Sequence, residues 1–457
     1  MRIKQRFALL PVIFALALPT MLEQLMQTAV QYIDTAMVGS LGTAATAAVG
    51  STTTVNWLIG STLSAFGTGF LAYISQAIGR GDRDKAASAA AQAVLLVLLL
   101  GIMFSAIVLP LSRYVPVWMQ VDPSIRDTAA SYFFILYLPL LFRAATVIFG
   151  TVLRAAGDTK TPMWVGLVVN VVNVVLNFLL IYQSREVSVF GLTVWIPGAG
   201  FGVLGAAAAS AIAYALGGVI ITAALWRHNV VSPKGHSLRP DRSILEPCLR
   251  IAIPNMFQRF CTSLGYVVFA SMINSLGEMS TAAHTIANTV ESAFYIPGYG
   301  MMTAAATLTG NCIGAGDEKR RSEMSSMIML SEFAMMVVSG GLLFAFAPQM
   351  TGLFTRDPAV ISLSTLVLRM VALSEPFYGI SIVTEGMLMG AGETVRPFIF
   401  STGSMWGIRI TGTFICVHLL GFGLESAWAC MIAGNMVLML LFVIYYRSGR
   451  WKKQRCG

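Results

Sequence analysis

Charge is what this sequence has least of. Asp, Glu, Lys and Arg make up 11% of its 457 residues, where a soluble domain carries roughly a quarter. Residues of the set AVILMFWYC make up 56% and the mean hydropathy is +0.73, so a water-facing surface of this composition would not stay dissolved. Histidine is scarce as well: His228 and His236 lie in a basic stretch and His284 and His418 far apart, so no metal-ligand spacing can be read. The six cysteines (248, 261, 312, 416, 430 and 456) contain no CxxC pair, which gives neither a metal knuckle nor a disulfide framework. Two glycine pairs, in Gly79-Arg80-Gly81-Asp82 and Gly314-Ala315-Gly316-Asp317, lack the Lys-Ser/Thr of a nucleotide-binding loop. They read as tight turns, and ATP hydrolysis drops out as a driving force. The opening MRIKQRFALLPVIFALALP has the basic and apolar parts of a secretory signal but no small-x-small cleavage site, so it is expected to stay as a first helix.

What the sequence has in abundance is apolar runs. They fall near 11–37, 52–77, 87–111, 129–151, 162–182, 201–226, 249–273, 284–310, 325–347, 361–387, 396–418 and 424–446, each about long enough to cross a bilayer as a helix. A closed barrel would alternate polar and apolar residues, whereas Val94 to Leu100 is apolar throughout. The expected fold is an all-α polytopic membrane protein of twelve transmembrane helices. Alternate loops, from Arg2, Lys4 and Arg6 to the basic tail Arg447–Arg455, collect 22 Lys and Arg, and the opposite loops hold only Arg113, Arg126, Arg185 and Arg356. That asymmetry places both termini in the cytoplasm. The net charge of +9 therefore reads as membrane orientation and not as a nucleic-acid footprint.

The chain also repeats itself. Laid over itself with Pro19 on Pro254, and with no gap, Ser40-Leu41-Gly42 falls on Ser275-Leu276-Gly277, Gly81-Asp82 on Gly316-Asp317, Asp122-Pro123 on Asp357-Pro358, and LRAAGDTKTP (153–162) on LMGAGETVRP (388–397). Farther on, Gly200-Phe201-Gly202 meets Gly421-Phe422-Gly423 only at a smaller shift, so the first half has the longer loop before this point. Six spans per repeat give both halves the same topology, which implies two six-helix lobes related by a pseudo-two-fold axis along the membrane normal, with a cleft between them. The expected divisions are an N-terminal lobe over 1–226, a cytoplasmic linker over 227–248 and a C-terminal lobe over 249–457.

An ionisable side chain at membrane depth needs a cavity, a partner or a proton. In the first span Glu23, Gln27, Gln31 and Asp34 recur on one helical face, and Asp34 is the expected carrier of a proton or of Na⁺. The fifth span presents Asn170, Asn173 and Asn177, whose amides serve either as oxygen ligands for Asp34 and a hard cation or as interhelical hydrogen bonds. Glu291 shares a face with Asn288 and Tyr295 just before Pro297-Gly298, where it either binds a cationic substrate, carries a proton or bonds a neighbouring helix. Glu375, Tyr378 and Glu385 form a further group, which Arg369 or Arg409 would neutralise. Gln31, Met26 and Met256 complete the expected substrate contacts, since thioethers adapt to several apolar shapes. Na⁺ coupling would make Asp34, Asn173 and Asn177 the metal ligands.

DTAMVGSLG (34–42), IGRGD (78–82), LRAAGDTKTP (153–162), NVVNVVLN (170–177), YIPGYG (295–300) and LMGAGETVRP (388–397) together resemble the multidrug and toxic compound extrusion (MATE) family, over essentially the whole chain. The resemblance implies a multi-pass antiporter of the bacterial plasma (inner) membrane, not an enzyme, acting as a monomer among membrane lipids, without cofactor or nucleic acid. It would export amphipathic, cationic drugs or metabolites in exchange for H⁺ or Na⁺. It also implies that Asp34 is the ion site of the first lobe, with Asn173 as its amide partner and Asn177 where other members carry a second acid. The seventh- and tenth-helix acids of NorM-type members fall on Thr262 and Tyr378, so this chain departs from that cation site. A lipid-linked oligosaccharide flippase of the same superfamily is the alternative, expected to need a more cationic cleft; a channel or membrane enzyme ranks below it.

Overall fold

The computed structural model describes residues 7–189 and 192–453. Arg2, Lys4, Arg6, Arg455 and Cys456, named above, lie outside the described residues. All twelve expected spans are helical: α1 (Leu10–Gly39), α2 (Thr43–Gly79), α3 (Arg83–Leu111), the bent pair α4 (Arg126–Tyr137) and α5 (Leu140–Ala155), α6 (Lys160–Leu180), α7 (Gly202–Arg227), α8 (Arg242–Asn274), α9 (Glu278–Gly314), α10 (Glu318–Gly352), the bent pair α11 (Pro358–Ala372) and α12 (Glu375–Gly390), α13 (Val395–Gly403) with the turns that continue it to Leu419, and α14 (Leu424–Ser448).

Seven of these helices are long and apolar enough to cross a membrane by themselves, and the two bent pairs bring the number to nine. The other three are less apolar or interrupted: α8 carries Arg242, Glu246, Arg250 and Arg259, α9 is rich in Thr, Ser, Asn and Gly besides Glu291, and the eleventh span passes from α-helix into π-helical turns over Ser404–Ile410 and Ile415–Leu419. The bends of 49° and 54° occupy equivalent places in the two repeats. Pro139 interrupts the first and Pro376 stands in the first turn after the second, each removing an N–H that a continuous helix would need.

Recurrent glycines make the turns between spans. Gly81 and Gly316, and likewise Gly157 and Gly392, have φ between 69° and 85°, a left-handed backbone that a side chain would strain. The extra residues of the first half form a hairpin, β1 (Gln183–Val189) paired antiparallel with β2 (Leu192–Ala199), an element the hydropathy pattern does not signal. The linker region holds less loop than its composition suggests, because α8 already begins at Arg242. The remainder is fastened to α3: Gln92 Nε2 donates to Arg239 O (2.8 Å), and Ser88 Oγ lies 3.0 Å from His236 Nδ1.

Contacts divide the chain into two compact units, one of Met1–Gln24, Leu71–Asp82 and Glu246–Gly457, the other of Leu25–Phe70 and Arg83–Leu245. Boundaries fall inside α1 and inside α2 as well as at Leu245/Glu246, near the junction of the repeats. Within the first unit, Ile13, Ala17 and Met21 of α1 join Met301, Leu308, Met327, Met387 and Trp451 in one core. There the end of α2 meets the end of α9 in a reciprocal crossing: a Cβ on Gly79 would strike the carbonyl of Asn311, and one on Gly314 the carbonyl of Gln76. Gly79 and Gly314, and Gln76 and Asn311, are the same positions of the two repeats.

Candidate functional site

Two polar clusters occupy the interior, one in each unit. In the second unit, α1 supplies Asp34 and α6 supplies Asn173 and Asn177, one helical turn apart and so on one face. Asn177 Nδ2 donates to Asp34 Oδ1 at 2.6 Å. Asn173 and Asn177 are 6% and 1% exposed, while Asp34 is half-buried. One terminal atom of the Asn173 amide lies 2.9 and 3.2 Å from the two Asp34 oxygens and 3.2 Å from Asn177 Nδ2. Its other terminal atom is 3.0 Å from Ser210 Oγ of α7.

Hydrogen-bonding sense assigns the nitrogen to the Asp34 side, where it donates to both carboxylate oxygens, and the oxygen to the other side, where it accepts from Ser210 Oγ. Asn177 Oδ1 is buried and without a donor among the described residues. Among the described residues no three His, Cys, Asp or Glu side chains are grouped to hold a metal, so a cation here would rest on one carboxylate and amides. Asn170, half-buried, and Gln31, exposed, make no side-chain hydrogen bond among the described contacts and stand outside this cluster. Met26 is half-buried in the same unit.

The first unit carries the second cluster. Glu291 of α9, Glu332 of α10 and Glu375 of α12 are 6%, 0% and 1% exposed, and Glu375 is within electrostatic reach of both others. Neither oxygen of Glu332 or Glu375 has a hydrogen-bond partner among the described residues. The Glu332 carboxyl fits where neighbouring helices lack side chains: a Cβ on Gly298 would stand 2.7 Å from its Oε1, and one on Gly379 3.0 Å. Beside the acids, Tyr295 meets Tyr299 and Tyr378 edge to face at 6.0 and 5.8 Å, and the hydroxyls of Tyr299 and Tyr378 are 3.3 Å apart. Met256 is half-buried in this unit.

Three expectations change here. Asn288 is exposed while Glu291 is buried, because the face they share lies at the edge of the bundle. Arg369 points away from the acids, donating to Phe344 O and lying 5.3 Å from the Phe344 ring. Arg409, on the π-helical turn, is instead the cation near Glu291, held 5.0 and 4.9 Å from the Tyr266 and Phe269 rings. Glu385 separates from Glu375 and accepts from Gln258 Nε2 at 2.7 Å. The sequence reading passes over Glu332, although its signal, one acid within MIMLSEFAMMVV, is of the kind that marks Asp34.

The repeat shows that the clusters are not copies. In the register that lays Pro19 on Pro254, Asp34, Asn173 and Asn177 fall on Phe269, Ile408 and Gly412, while Glu291, Glu332 and Glu375 fall on Asn56, Val97 and Leu140. Each half has kept one polar site and filled the equivalent of the other with neutral side chains.

The family model MatE matches residues 19–179 and again 254–415, each match beginning at the proline that sets the register of the repeat. The chain belongs to the MatE family. It is 29% identical over 440 residues to the probable multidrug resistance protein NorM of Thermotoga maritima, covering 96% of this chain and 92% of that protein. Two solved structures share the fold at 24% sequence identity. One is a multidrug resistance MATE transporter of the MOP superfamily in an outward-facing conformation, with a TM-score of 0.89, covering 97% of this chain and 96% of that one. The other is a MOP superfamily transporter from Pyrococcus furiosus, with a TM-score of 0.88 and the same coverage. As a MatE member the chain is a multi-pass secondary transporter of twelve spans in two lobes, not an enzyme.

Proposed function

We propose that this transporter exports amphipathic, cationic molecules in exchange for H⁺ or Na⁺, in the bacterial inner membrane with both termini cytoplasmic. The transport lobes would be 1–226 and 249–457, joined by 227–248, and the chain would act as a monomer. The observation that carries the reading is Asp34, a half-buried acid in an apolar span that Asn177 Nδ2 meets at 2.6 Å and the Asn173 amide at 2.9 Å. Asp34 binds the ion, with Asn170, Asn173 and Asn177 as its amide partners, and Gln31 is a substrate contact. Glu291, Glu375, Tyr295, Tyr378, Met26 and Met256 receive the substrate, with carboxylates and aromatic faces for its charge and thioethers for its apolar body.

For antiport the ion must favour the conformer that releases substrate. An ion on Asp34 cancels the charge that Asn173 and Asn177 solvate, which repacks α6 against α1. The arginines of the spans, Arg143, Arg259, Arg369 and Arg409, are outnumbered by acids, which weighs against a flippase for pyrophosphate-linked sugars. The test is reconstitution in vesicles with a pH gradient and a Na⁺ gradient imposed separately while ethidium is followed. Uptake against its gradient under one of them is expected; response to neither would overturn the antiport reading.

A further inference from the structure

An apolar groove of about 490 Å³ lies apart from both polar clusters, in the first unit. Phe7, Leu10 and Phe14 at the start of the chain form one wall; Met327, Ala334 and Val338 on α10 lie in the other. Ser331 also lines it, but its hydroxyl donates back to Met327 O at 2.7 Å, so the lining favours a hydrocarbon ligand. From Met327 to Val338 the helix rises about 16 Å, which is close to one leaflet of a hydrocarbon core roughly 30 Å thick. The groove has the depth of a single lipid tail.

Charge above the groove selects the headgroup. Arg320 lies two turns before Met327 on the same face of α10, exposed, with Lys319 beside it. Glu318 is engaged by Arg321 (3.0 Å) and Lys452 (2.9 Å), Asp317 caps the helix by accepting from Arg320 N, and Glu323 makes no ion pair with Arg320 among the described residues. The unspent charge at this end is positive, and a long arginine side chain at the membrane surface reaches the phosphate level. We propose that this groove binds one acyl chain of an anionic phospholipid, with the phosphate held at Arg320.

The walls come from opposite halves of the repeat, so a lipid that fills the groove favours the arrangement in which the start of the chain lies against α10. That consequence rests on the transporter reading; the binding itself does not. The full chain, purified from vesicles of equal phosphatidylcholine and phosphatidylglycerol, is tested by native mass spectrometry for retained lipid. Wild type is expected to retain one phosphatidylglycerol in preference to phosphatidylcholine by about tenfold, the factor one charged hydrogen bond supplies. Arg320→Gln brings the two lipids to parity, Ala334→Trp lowers retention of both, and Arg250→Gln, at an exposed arginine elsewhere, changes nothing. Equal retention by wild type, an unchanged preference in Arg320→Gln, or a second copy of the chain covering this face would overturn the proposal. Because transport is not the readout, failure of the export reading leaves this result standing.

Discussion

Asp34 and Glu332 are both single acids in apolar helices, yet their surroundings differ. Asp34 is met by two amides, while Glu332 is met by two glycines and, among the described residues, no donor. Asp34→Asn is therefore expected to reduce gradient-driven ethidium transport to the level of empty vesicles while binding and insertion persist; transport near wild type from the purified variant would remove Asp34 from coupling. Asn173→Ala is expected to raise the ion concentration for half-maximal transport several-fold at matched folded protein, whereas a purely structural amide would lower stability and leave ion dependence alone. A carboxylate enclosed like Glu332 needs a proton or a cation, so Glu332→Gln, uncharged and of similar shape, should fold within about 1 kcal/mol of wild type and alter the pH profile of transport. A thermal unfolding series, and transport followed over roughly pH 5.5 to 8.5 around neutrality, would check both parts.

At the scale of the element, nearly every helix was legible and its irregularities were not. Hydropathy locates twelve runs because each must satisfy its backbone internally, but it is blind to the breaks at Leu138-Pro139 and Leu373-Ser374, which keep the apolar pattern while turning the axis by 49° and 54°. The π-helical turns of the eleventh span carry no composition signal, and they are what aim Arg409 at the Glu291 side. The hairpin hides in a loop recognisable only by its length. In the site, periodicity places Asn173 and Asn177 on one face correctly, but one-helix patterns cannot tell which acid faces which cation, and so they group Arg369 and Glu385 with residues they do not meet. Close crossings are likewise invisible to pattern: Gly79→Ala or Gly314→Ala should destabilise the protein by about 1 to 3 kcal/mol through overpacking against backbone, measured as a fall in unfolding midpoint, whereas Gly341→Ala, which meets open space, should not.

Across the whole molecule the duplication yields two frames with separate duties, an amide-solvated carboxylate in one and a three-glutamate group in the other. If Asp34 alone couples, one ion crossing about 100 mV supplies about 2.3 kcal/mol, enough for roughly 50-fold accumulation of a neutral substrate; a monovalent cation exchanged for one H⁺ would gain only from the ion gradient. Measured stoichiometry thus reports whether the second frame binds an ion too, with two ions per substrate implicating the glutamates. The crossing of α2 and α9 adds a constraint of another kind. Elsewhere the two copies have drifted far enough to exchange acids for aliphatics, but at Gly79 and Gly314 each copy is the other's steric environment. A side chain added at Gly79 is felt at Asn311 and one at Gly314 at Gln76, so each copy constrains which residues the other can accept at this crossing.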